Sequence, residues 1–187
     1  MSTLSRFALS LAAAAAVAAV PAHAGFKSDL LHEMDGVGQQ VIELAKAVPQ
    51  EKYAWRPAEG VRSIAEAYLH IAAGNYEILN FTAYPAAGAP ADLGKLESST
   101  SDKVQVVAAL EKSFQATRAA IERIPDAALD KPVKAGAKMT LRAVLLEIPG
   151  HAHEHLGQEI AYARMNGVVP PWTARQQRQQ PPPKSGR

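Results

Sequence analysis

The chain has 187 residues, no cysteine, and 20 Lys and Arg against 18 Asp and Glu, a formal net charge of +2. The missing cysteines exclude disulfide scaffolds and thiol nucleophiles. Setting aside Arg6 and the four bases of the C-terminal tail leaves 15 Lys and Arg against the same 18 acids over residues 25–173, a net of −3, with no clustered basic face for nucleic acid.

Residues 1–24 read as a signal peptide. Arg6 supplies the positive start, Phe7 to Val20 is an apolar run rich in alanine and leucine, and Pro21-Ala22-His23-Ala24 presents small residues for cleavage after Ala24. That run is shorter than the roughly 20 residues that span a bilayer. The expectation is a periplasmic or secreted protein with no membrane span after cleavage, and His23 leaves with the leader. The remaining 163 residues, 25–187, suit one domain, placed at 25–173 ahead of the tail.

The first predicted helix covers about Lys27 to Val48. Leu30, Met34, Val37, Val41, Leu44 and Val48 recur every three or four residues, one apolar stripe. His32 points away from that stripe and reads as a solvated group. The connector, Pro49 to Arg62, places Trp55 where a large aromatic could seal a bundle end. The second helix begins at Ser63-Ile64-Ala65-Glu66, a capping-box pattern, and runs to about Phe81 with His70 at the edge of its apolar arc.

Tyr84 to Thr100 has no sustained period and reads as a long loop. A third helix starts near Ser101, carries Val107, Leu110, Phe114 and Ile121 on one face, and stops before Pro125. After a loop, Thr140 is the expected N-cap of a fourth helix, Leu141 to Asn166, with Gly167 closing it. Pro149-Gly150 sits inside that helix, where a proline removes a backbone bond and favours a kink. The tail, residues 174–187, is rich in Gln and Pro and is expected to be disordered. Four helices without strands predict an all-α four-helix bundle with long connectors.

Chemistry concentrates in the fourth helix, at GHAHEHLGQ, residues 150 to 158. At one residue per about 100°, His151 and His155 fall about 40° apart on the inward face, and His153 points outward. Two buried imidazoles one turn apart leave polar nitrogens that are costly when unpaired. A divalent cation resolves this, since neutral imidazole is a ligand for Zn, Ni, Cu or Fe. The spacing of the acid departs from the helical zinc-protease motif, which excludes that reading. A third ligand has to come from another helix, and His70 is the candidate on a face edge. Gln158 lies on the face of His151 and could orient a ligand or a water. Glu154 and Glu147 flank the pair, each either a group near the site or an ordinary solvated side chain.

Three stretches carry a resemblance to the DinB/YfiT-like family of four-helix metal-dependent proteins. WRPAEGVRSIAEAYLHIA, Trp55 to Ala72, resembles the family's entry into its second helix. HAHEHLGQ resembles its H-x-x-x-H-x-G-Q signature, and YARMNGVVPP, Tyr162 to Pro171, is similar to its closing R-x-N-G-x-x-P-P. The resemblance implies that His70, His151 and His155 hold one divalent metal, Zn or Ni first and Fe, Mn or Cu next, often in a homodimer. Characterised relatives include thiol-dependent transferases and a maleylpyruvate isomerase. This chain departs from the pattern in Pro149-Gly150 and in its leader, which would take it away from cytosolic thiols.

Three readings follow. The protein is an exported metal-dependent transferase or hydrolase of a small molecule; or a non-catalytic periplasmic bundle that binds a metal or small ligand; or a helical protein whose histidines are core groups.

Overall fold

A computed structural model describes residues 25–133 and 139–179. The leader assigned to residues 1–24 lies outside the described residues. Four long helices follow one another: α1 (Phe26–Ala47), α2 (Ile64–Asn80), α3 (Lys103–Glu122) and α4 (Leu141–Met165). No strand occurs among the described residues; a single bridge between Pro132 and Thr140 closes the loop before α4. α1 packs against α3 and α4, and α2 packs against the same two, so α1 and α2 occupy opposite corners of the bundle. No helix among the described residues is long and apolar enough to cross a membrane.

α2, α3 and α4 each begin where a side chain supplies a cap. The Ser63 hydroxyl accepts from the Glu66 amide, and the Glu66 carboxylate accepts from the Ser63 amide at 2.7 Å, completing the box that starts α2. Asp102 accepts from the Gln105 amide at the start of α3, and Thr140 from the Ala143 amide at the start of α4. Two lysines serve the other ends. Lys27 donates to the carbonyls of Glu122 and Ile124 at the end of α3, and Lys103 to those of Lys46 and Val48 at the end of α1.

The stripe expected on α1 is buried: Leu30, Met34, Val37, Val41 and Leu44 meet the apolar faces of α3 and α4. Polar groups tie α2 to α3 inside the core. The Asn75 amide donates to Ser113 Oγ at 3.0 Å, and the Thr117 hydroxyl donates to the Asn75 carbonyl at 3.0 Å. Pro149 lies inside α4 and is buried; the helix continues past it and carries the histidines.

The C-terminus corrects one expectation. Residues 174–179, assigned above to a disordered tail, belong to a fifth helix, α5 (Pro171–Gln179). A proline at the first helical position lacks only an amide that would have been unpaired, so Pro171 starts this helix as readily as it ends the chain before it. Arg175 then anchors α5 by donating to Glu43 on α1 at 3.0 Å. Residues 180–187 lie outside the described residues.

Candidate metal centre

Neighbouring helices bring the three inward histidines together. α2 carries His70, and α4 carries His151 and His155 one turn apart. One nitrogen from each falls within 4.8 Å of those of the other two. His155 sits edge to face with both other rings, and His70 and His151 are tilted to each other, with all centroids 4.6 to 4.9 Å apart. His70 Nε2 and His151 Nε2 are 3.1 Å apart, near the about 3.4 Å that two nitrogens on one tetrahedral zinc would show.

Surrounding groups fix which nitrogen faces inward. A carboxylate can only accept, so His70 Nδ1–H donates to Glu97 Oε2 at 2.9 Å, leaving the Nε2 lone pair toward the cluster. The other oxygen of Glu97 accepts from Arg62 Nε at 2.6 Å. His155 Nδ1 donates to Gln158 Oε1 at 2.9 Å, and the Gln158 amide in turn donates to the Tyr162 hydroxyl at 2.8 Å. Tyr162 stands edge-on to Trp55 from the connector, centroids 5.4 Å apart, so the aromatic expected to seal the bundle end backs the site. A donor on the outer nitrogen and a free lone pair on the inner one is the arrangement found for metal-binding histidines.

His151 is held by shape. Its Nδ1 is buried without a hydrogen-bond partner, and its ring abuts Gly74 of α2, where an added Cβ would stand 2.3 Å from Cε1. Burial pushes the His151 pKa down to about 4, and positive charge on His155 or His70 would push it the same way. His70 is lowered too, chiefly by burial and then by Arg62, with Glu97 opposing. Both rings are therefore neutral at pH 7, the state that coordinates metal. Three converging imidazole nitrogens fit a divalent ion better than they fit one another.

The remaining candidates separate clearly. Gln158 touches His155, as described. Glu154 is exposed and reaches the cluster only as a charge opposing the fall in the His151 pKa. Glu147 is exposed too, but shares with His151 the lining of a pocket. His153 faces outward and meets Glu33 at 2.9 Å, and His32 is exposed on α1.

Two residues escaped the sequence reading. Glu97 sits in the connector taken as a featureless loop, where it and Asp92 are the only acids between Tyr84 and Thr100. Glu159 is fully buried, one turn beyond His155, and the same helical phase that turned His155 inward would have found it.

A family model described as the DinB superfamily matches residues 33–158. Among solved structures, a DinB-like protein from Bacillus cereus ATCC 10987 superposes with a TM-score of 0.68 at 17% identity, covering 76% of this chain and 93% of its own. A DinB-like protein from Bacillus subtilis gives 0.55 at 25% identity, covering 75% and 93%. No curated protein matches.

Proposed function

The chain belongs to the DinB superfamily, and from that premise we propose an exported enzyme that binds one divalent metal ion, zinc or nickel first, through His70, His151 and His155. The observation that carries this reading is the convergence of three imidazoles from two helices, two of them with the outer nitrogen engaged by Glu97 and Gln158. When bound, the ion supplies Lewis-acid chemistry and lowers the pKa of a coordinated water or thiol.

The protein's own groups do the rest. Glu97 and Arg62 hold His70 in one tautomer and orientation. Gln158, itself held by Tyr162 against Trp55, does the same for His155. Three uncharged ligands leave the ion's double positive charge intact, which selects an anionic nucleophile or substrate head. Three protein ligands also leave coordination positions open, the layout of a catalytic site rather than a closed structural one. A transferase or hydrolase acting on a small molecule is the reaction class this supports. Export rests on residues 1–24, and N-terminal sequencing of the exported protein is expected to begin at Gly25.

Elemental analysis of protein purified without a histidine tag tests the metal reading. One ion per chain is expected, lost in His151→Ala. Glu97→Gln keeps every ligand and is expected to weaken the metal by about 10–100-fold. Trace metal that His151→Ala leaves unchanged would end the proposal.

A further inference from the structure

Beside the histidines lies a pocket of about 420 Å³, lined by Ile78, Phe81, Val133, Met139, Val144, Glu147 and His151. Its volume falls in the range of about 300–1,000 Å³ typical of small-molecule sites. Five of its walls are hydrocarbon, aromatic or thioether. Among the described residues its only charged wall is Glu147, one turn of α4 before His151. Phe81 is 56% exposed, although a phenylalanine in this position could be buried by anything that filled the pocket. His151 belongs both to this pocket and to the histidine cluster, so an occupant here touches the ring of a candidate metal ligand.

We propose that this pocket is the substrate's apolar subsite. The substrate class is a small molecule with a hydrocarbon or aromatic body and a metal-binding head: the body lies against Phe81, Ile78 and Val144 and the head reaches the histidine cluster. Glu147 excludes a second anionic group on the body and tolerates a neutral or cationic one, because a carboxylate brought beside it would be repelled. A larger surface groove, about 740 Å³, is lined by groups of both signs, including Lys27, Asp35, Arg118 and Glu122, and contains none of the three histidines. Size alone would have pointed there; the shared histidine points here.

The proposal rests on the metal reading above, and the test separates the two. Zinc-loaded full-length protein is titrated by calorimetry with acetohydroxamate and with octanohydroxamate, which share a head and differ in body. Burying the longer body tightens binding by about fourfold per methylene taken up. Phe81→Ala, at an exposed position, and Val144→Trp, which fills the pocket, are expected to abolish most of that difference while acetohydroxamate affinity and zinc content stay unchanged. Equal affinity for the two hydroxamates in protein that holds its zinc would overturn the subsite and leave the metal reading standing. In parallel, chelator-treated protein is titrated with 1-octanol and 1-butanol and followed by NMR. A chain-length-dependent shift of Phe81, Ile78 and Val144 signals supports the pocket even if no metal binds. A dimer that Phe81→Ala dissociates would mean that a second copy covers this face, and would overturn the proposal.

Discussion

Glu159 carries a carboxyl group into the core one turn beyond His155, where the buried Tyr68 hydroxyl is its polar neighbour. Burial raises its pKa well above the ordinary 4.5, so the folded protein holds a proton that the unfolded chain releases. The group's folded-state pKa is the raised one, so its contribution to stability is intact below about pH 4.5. It declines as pH climbs toward the folded value, by no more than about 1.4 kcal/mol per pH unit for a single proton. Glu159→Gln copies the neutral form and cannot titrate. Urea unfolding at pH 5 and pH 8 is expected to show the variant gaining on the wild type as pH rises, because every other titrating group is common to both and cancels. A difference that stays the same at both values would mean that Glu159 is ionised in the fold. The carboxyl is thus a feature of the core, and the metal chemistry is left to groups that keep their lone pairs facing inward.

At the scale of helices, the site depends on how closely α2 approaches α4, and Gly74 sets that approach. The four helices themselves were legible from periodicity: the stripe on α1, the capping box at Ser63 and the N-cap at Thr140 each place a boundary within a residue or two of the observed one. The inward turn of His151 and His155 was legible for the same reason, since helical phase is a local property. Glu97 was not, because its role arises from a loop folding back over α2, and nothing adjacent in sequence encodes that. α5 was missed because its composition reads as tail, while its anchor, Glu43, lies 132 residues away. Gly74 joins this second group. Alone, a glycine in mid-helix costs about 1 kcal/mol relative to alanine, and only the His151 ring across the interface accounts for it. Gly74→Ala is therefore expected to have two effects. The metal-free protein melts at a lower temperature, because the new methyl would stand 2.3 Å from the His151 ring and the buried interface has to shift, which outweighs the gain from the better helix former. Zinc affinity falls by at least about tenfold, because the His151 ring is pushed out of the position in which it converges with His70 and His155. Competition with a chromophoric chelator measures the second effect and a thermal melt the first. Unchanged affinity would show that the ring has room the packing does not suggest.

Across the whole molecule, an ion held by His70, His151 and His155 would join helices 81 residues apart in the chain and so act as a cross-link of the bundle as well as a reagent. With no cysteine there is no disulfide to do this, and the core and the lysine-capped helix ends carry stability alone. Anything that binds the folded state and not the unfolded chain stabilises by mass action, about 4 kcal/mol when free metal is a thousand times the dissociation constant. For a chain of this size that corresponds to a rise in melting temperature on the order of 10 °C. Proton competition sets the pH at which this gain disappears. The His151 pKa is lowered in the fold, so the neutral ring persists down to about pH 4, whereas the unfolded chain takes up its proton below about 6.5. The stability that His151 contributes is thus present above 6.5 and lost as pH falls toward 4, and metal release follows in the same direction. Adding zinc at pH 7.5 is expected to raise the melting temperature of the wild type and leave that of His155→Ala unchanged, with the wild-type gain disappearing as pH falls to about 4, where His151 takes up its proton in the fold. An equal zinc effect on both proteins would place the ion somewhere other than between α2 and α4.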